Sequence, residues 1–346
     1  MSRTVLTIIF LNCFYFSLKA QRTSTVAPFL NMLPDARSAA MGEAGAATTA
    51  DVNSIGTNPA KVVFIPKKFG FSASYSPWLR SLAADINLGY LSAFYRVDAS
   101  SAIAGSLRYF SLGEVQFTNA EQQDLGTYHP ADVAADIVYS KRFGQSFSLG
   151  TAIRYISSNG FTPQSISGSS DQSIKTVAAD VSAYFVHSSM LFGYEADLSA
   201  GLSISNIGAA LRFVNDGNKY YLPTNLRLGV ASSFVINDAD QLVLTVDANR
   251  LLVPSPIQNS TDRVPALQQT TLGAGLEFVY HEKLALRSGY VYESPKSGNR
   301  RYVTVGTGLR YEAFQVDCAY ILAGIQKSPL ANTLRFTLMF NFGAGD

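Results

Sequence analysis

The chain has 346 residues, of which 47% are hydrophobic and 12% aromatic, with 27 Lys and Arg against 25 Asp and Glu. Charged residues make up only 15%, against roughly 25% in a typical soluble domain, which excludes a disordered chain, and the near-zero net charge excludes an electrostatic footprint for nucleic acid. After the first two dozen positions no apolar run approaches the ~18 residues a membrane helix needs, so the hydrophobic residues must be arranged by another rule.

Arg3, the apolar stretch from Val5 to Phe16 and the small residue Ala20 predict a secretory signal over residues 1–20, cut ahead of Gln21. The apolar stretch is too short to serve as a spanning helix. Cys13 lies within it behind Asn12, where lipidation would call for a small residue, and is discounted. Loss of Arg3 and Lys19 with the signal levels the bases with the 25 acids and leaves Cys318 alone. An exported chain with no internal disulfide draws its rigidity from elsewhere.

Residues 21–64 show no alternation and are small and weakly polar, as in Pro34-Asp35-Ala36-Arg37, Met41-Gly42-Glu43-Ala44-Gly45-Ala46-Ala47 and Asn58-Pro59-Ala60. Small residues let backbones pack closely, which predicts a plug or hatch folded inside or beneath a lumen. Asp51-Val52-Asn53-Ser54-Ile55-Gly56 faintly echoes a calcium loop. Ile55 and Val62 stand where oxygen ligands belong, so no metal is expected.

From residue 65 to 346 the period is two. In the last segment Leu334, Phe336, Leu338, Phe340 and Phe342 alternate with Thr333, Arg335, Thr337, Met339 and Asn341, and only a strand sends residues two apart to one face. Phe147 to Tyr155 and Phe314 to Tyr320 repeat the pattern, with Cys318 on an apolar face. An arginine between apolar or small neighbours recurs at Arg108, Arg154, Arg212, Arg227, Arg287, Arg310 and Arg335. The pattern predicts fourteen strands over 69–77, 86–96, 102–112, 132–142, 147–157, 176–187, 194–205, 224–235, 241–249, 271–280, 283–292, 302–311, 313–321 and 333–342. The connections alternate short and long, with every long one at the same end, as in an all-β, antiparallel transmembrane barrel with short periplasmic turns and long outer loops. Arg108, Arg154, Arg227, Arg287, Arg310 and Arg335, with Asp136, Asp180, Asp247, Glu277 and Asp317, then face the lumen, and Tyr109, Tyr155, Tyr280, Tyr292 and Tyr311 suit interfacial girdles.

The ordered set Pro34-Asp35-Ala36-Arg37, Met41-Gly42, Ala44-Gly45, Asp51 and Asn58-Pro59-Ala60, followed by Tyr75-Ser76-Pro77-Trp78-Leu79 and Leu107-Arg108-Tyr109-Phe110-Ser111-Leu112-Gly113, resembles the PorV family. These are outer-membrane barrels of the type IX secretion system of Bacteroidetes, within the broader FadL-like group; the PorQ family has a related N-terminus. Asn-Pro-Ala alone is common to FadL-like barrels, whereas the whole set is specific. The resemblance marks Asp35, Arg37, Asn58, Pro59 and Ala60 as the plug motif. It implies an outer-membrane protein without cofactor, set in outer-membrane lipid. Its implied role is to bind the C-terminal signal domain of cargo leaving a large translocon barrel and carry it to the cell-surface attachment complex.

Pro77, Trp78 and Leu79 are candidate partner-binding residues, because an exposed Pro-Trp-Leu cluster in the first outer loop would make an anchor; a girdle position at the lipid boundary is the other reading of Trp78. Transport of hydrophobic small molecules, as in FadL-like relatives, is the alternative function. Catalysis is not expected. The three histidines, His129, His187 and His281, lie apart, and no Gly-x-Ser-x-Gly elbow supplies an activated nucleophile.

Overall fold

The computed structural model describes residues 24–78, 85–118, 124–159, 173–212, 219–253, 269–295, 297–322 and 333–344. Fourteen antiparallel strands close into one barrel. They are β1 (Lys67–Pro77), β2 (Asn87–Asp98), β3 (Ser101–Ser111), β4 (Ala131–Phe143), β5 (Phe147–Ser158), β6 (Ile174–Leu191), β7 (Tyr194–Ile207), β8 (Thr224–Val235), β9 (Gln241–Val253), β10 (Thr270–Tyr280), β11 (Leu284–Tyr292), β12 (Arg301–Tyr311), β13 (Phe314–Leu322) and β14 (Leu334–Ala344). Each pairs with its neighbours in sequence, and β14 returns to β1 from Phe336 opposite Tyr75 to Ala344 opposite Lys67. Closure leaves no strand edge in lipid, where an unpaired backbone group has no water to turn to. Among the described residues no helix is long and apolar enough to cross a membrane.

The alternation read from sequence sorts the two faces of the wall. On β4 and β5, Ile137 is 77% exposed and Ile153 68%, while Asp136 and Arg154 beside them are buried. Apolar outside and polar within is the inversion that lipid imposes on a barrel. All five tyrosines expected in girdles face outward, and Phe71 stacks on Phe340 across the closing seam with ring centres 4.6 Å apart. Cys318 lies on the outer face, half-buried, with no disulfide partner.

Strand ends fall within two residues of the sequence expectation except at β6 and β9, each of which runs four residues further. Arg212 departs from the arginine pattern. Leu211–Arg212 belongs not to the wall but to a three-stranded sheet in the outer connection between β7 and β8, where Ser24–Thr25 lies parallel to Tyr220–Tyr221. Another outer connection carries a hairpin, Val115–Thr118 with Asp124–Tyr128. Backbone in these places is paired away from the wall and leaves no lipid-facing alternation to read.

The segment ahead of β1 runs from the outer end to the periplasmic end. Below the sheet at Ser24–Thr25, Phe29 and Leu30 pack with Trp78, Leu88, Phe110 and Leu222 in an apolar chamber under the outer mouth. The short helix Ala36–Ala40 lies against β12 and β13. Residues 41–47 cross the lumen, and the 3-10 turns Val52–Gly56 and Pro59–Phe64 pack Val52, Ile55, Val62 and Val63 onto Phe94, Val138 and Met339 of the wall. Asp35, Asp51 and Asn58 cap the three turns, each accepting a backbone N–H with its side chain.

Candidate functional site

The contact between this inner segment and the wall is built from many buried polar groups. The segment is short of regular structure, so its carbonyls and amides need partners, and the inward face of the strands supplies them. Arg108 Nη1 donates to the carbonyls of Phe29 and Leu30 at 3.1 and 2.8 Å. Arg335 Nη1, on a side chain only 1% exposed, donates to Leu33 O at 2.6 Å, and Arg227 Nη1 donates to Glu43 O at 2.9 Å. Asp247 accepts from Gly45 N and Ala46 N at 2.8 and 2.9 Å. Thr304 accepts from Gly42 N and donates to Ala40 O, and Thr337 accepts from Ala36 N. A guanidinium has five donors and no acceptor, which suits it to several carbonyls at once.

Two arginines of the wall act differently. Arg154 Nε pairs with Asp136 at 2.6 Å and Nη2 with Asp180 at 3.0 Å, and Nη1 bonds Asn206. Asn206 has a φ of +60° and its N–H donates to Asp180, so this cluster fixes an irregularity in the β6–β7 register. Arg287 bridges Glu277 and Asp317, each at 2.6 Å. Glu277 also receives Arg37 of the inner segment at 2.6 and 3.0 Å, and Arg37 continues to Asp51 at 2.9 Å. Arg310 faces inward at the periplasmic mouth but stays exposed, its Nε donating to Gln315. Together Arg37, Asp51, Glu277, Arg287, Arg310 and Gln315 line part of a cavity of about 410 Å³ there.

The plug motif maps onto these contacts. Asp35 caps Ala36–Ala40, Arg37 enters the ion-pair chain, and Asn58 caps Pro59–Phe64 while donating to Ala46 O and Ala183 O. Pro59 opens its turn, where no N–H is needed. Ala60 N donates to Ser182, and Ala60 O accepts from Ser140 and Ser148 at 3.0 and 2.6 Å. The small residues of the wall were not flagged from sequence. At Gly150, Gly201, Gly275 and Gly289 a Cβ would overlap backbone of the inner segment, at Ala60, Ala46, Met41 and Gly42. An inward glycine on an otherwise alternating strand is the signal that would have found them.

Trp78 is placed neither in an exposed loop nor at the lipid boundary. The inward parity of Ser72, Ser74 and Ser76 continues past the end of β1, so its ring turns into the apolar chamber, 5% exposed, with the Arg335 guanidinium 5.2 Å from its centre. Pro77 is buried beside it, and Leu79 lies outside the described residues. His129, His187 and His281 are all exposed and far apart in the fold. Among the described residues no three His, Cys, Asp or Glu side chains are grouped to hold a metal ion.

Lys61 is a buried cation of the inner segment, with Nζ donating to Gly45 O at 2.7 Å and Thr48 Oγ1 at 3.0 Å. Burial pushes its ammonium down from an ordinary 10.5 to about 8. Between those values the unfolded chain holds a proton that the folded chain has released, so stability rises with pH across that window. The gain is expected to be at most about 3 kcal/mol, seen as a higher urea midpoint at the alkaline end, and Lys61→Met should flatten the profile.

The family model of PorV, the type IX secretion system protein, matches residues 17–258. No curated protein sequence matches the chain. Among solved structures the fold is similar to the P. putida toluene transporter TodX, with a TM-score of 0.55 at 14% identity over 89% of this chain and 98% of that one. It is similar also to the Ralstonia pickettii toluene transporter TbuX, with a TM-score of 0.52 at 13% identity over 90% and 99%. At these identities the likeness concerns the fold alone. With the family model covering most of the chain, the chain belongs to the PorV family of outer-membrane components of type IX secretion.

Proposed function

We propose that this barrel receives the C-terminal signal domain of secreted cargo as it leaves the translocon barrel and carries it to the cell-surface attachment complex. Family membership over residues 17–258 carries the reading. The construction of the lumen supports it over conduction. The inner segment is bonded to strands around the whole wall, and Phe29 and Leu30 already fill the apolar chamber beneath the outer mouth. Such a barrel works at its rim. Outer loops recognise the cargo domain, and Pro77 and Trp78 lie buried at the upper end of β1.

The same chamber is the observation that favours a second reading, uptake of hydrophobic small molecules, once Phe29 and Leu30 withdraw. Affinity purification of the full chain in mild detergent separates the two. A very large barrel and secreted proteins sharing a C-terminal domain are expected to co-purify. Their absence, together with fatty-acid uptake or single-channel conductance that depends on this protein, would overturn the cargo reading.

A further inference from the structure

The β6–β7 hairpin reaches further on the periplasmic side than β5 beside it. Pairing of β5 with β6 stops at Phe147 opposite Phe185, with a last bond from Val186 N to Ser146 O. Pairing of β6 with β7 continues to Leu191 opposite Tyr194. His187–Leu191 therefore extends roughly 16 Å, at ~3.3 Å per residue, with no strand beside it on the β5 side among the described residues. Open edges are ordinarily blunted by Lys, Pro or a bulge. This one carries none of these.

The tip turns on Phe192 and Gly193, with φ of 54° and 86°. A two-residue hairpin turn with both φ positive favours Asn-Gly or Asp-Gly, and an aromatic in its first position is held there against local preference. The Phe192 ring is 87% exposed and Met190 64%. Strain kept at an exposed aromatic points to a use for the ring. Between the tip and the aromatic girdle at Phe147 and Phe185 the exposed residues are His187, Ser188, Ser189, Asp197 and, opposite His187, Leu198, so a mainly polar collar separates the apolar tip from the lipid boundary. Glu195 and Asp197 are the charges of the hairpin, and no Lys or Arg occurs between Val186 and Asn206.

We propose that this hairpin is a docking knob for a soluble periplasmic protein that offers an apolar pocket rimmed by Lys or Arg and a strand edge to pair along Ser188–Met190. Phe192 and Met190 fill the pocket, Glu195 and Asp197 meet its basic rim, and the open edge supplies main-chain bonds. A lipid surface is disfavoured, because the collar and the two carboxylates would have to enter the headgroups first.

The test places a photoreactive phenylalanine analogue at position 194 of the full-length protein in its own cells. The expected product is one adduct whose partner peptide, mapped by mass spectrometry, is rich in Lys or Arg. It should fall at least tenfold with Phe192→Asn, which suits the turn better, and with Glu195→Lys. Heat-modifiable migration of both variants reports that the barrel is folded. Adducts confined to phospholipid, an adduct unchanged in either variant, or no adduct at all would each overturn the proposal.

Discussion

Arg287→Leu is expected to lower the stability of the barrel by about 3–5 kcal/mol. Arg287 is buried between Glu277 and Asp317, both carboxylates almost wholly enclosed. Among the described residues, removing it leaves Asp317 hydrogen-bonded only to Gln315 and Glu277 only to Arg37. An orphaned buried charge costs far more than the original pair contributes, because water cannot re-enter to solvate it. Urea midpoints of refolded protein in lipid vesicles measure the loss. Arg287→Lys keeps the charge but loses the fork that reaches both acids, so an intermediate value is expected. A change under about 0.5 kcal/mol in the leucine variant, the range of an ordinary surface substitution, would mean that the cluster is solvated.

Gly289→Val is expected to unseat the inner segment while leaving the wall intact. Gly289 faces inward on β11, and a Cβ there would overlap the backbone of Met41 and Gly42. Valine suits a strand, so the wall loses nothing in propensity. The segment must yield, and overpacking of this kind costs about 1–3 kcal/mol, which is roughly 5- to 150-fold in the equilibrium between seated and released forms. Protease cleavage within residues 24–66 should rise by such a factor, with conductance in planar bilayers rising beside it. Gly89→Val is the control, since its Cβ would come no nearer than 3.9 Å, to Tyr109 O. Equal behaviour of the two variants would dismiss the seating role of Gly289.

The wall was legible because lipid enforces alternation at every turn of the pleat. A residue such as Ile153 has no choice of side, and its neighbour Arg154 follows. The inward placement of Arg108, Arg227 and Arg335 was legible for the same reason, but not what they hold. Their Nη1 groups reach backbone carbonyls of the inner segment, Arg227 while also lying 3.6 Å from Asp247 of the wall, and Leu33 is hundreds of residues from Arg335. Carbonyls are present at every position, so no pattern of side chains betrays which one is chosen. Trp78 failed for a related reason. It lies just past a strand end, where a loop was expected, and the tertiary fit of the chamber carried the inward parity one residue further. The hairpin tip at Phe192 was read as a short turn, and its projection depends on where β5 stops, which is a property of the register and not of β6 itself.

The course of the inner segment makes it a tether as well as a filling. Its upper end is paired with the connection between β7 and β8, and its lower end leads directly into β1 at the opposite mouth. Only the lower end is covalently part of the wall, and the ring itself is closed independently at the seam where Phe71 faces Phe340. Loosening the upper end therefore leaves the segment leashed at the periplasmic mouth, a cork on its own chain that can leave its seat and return.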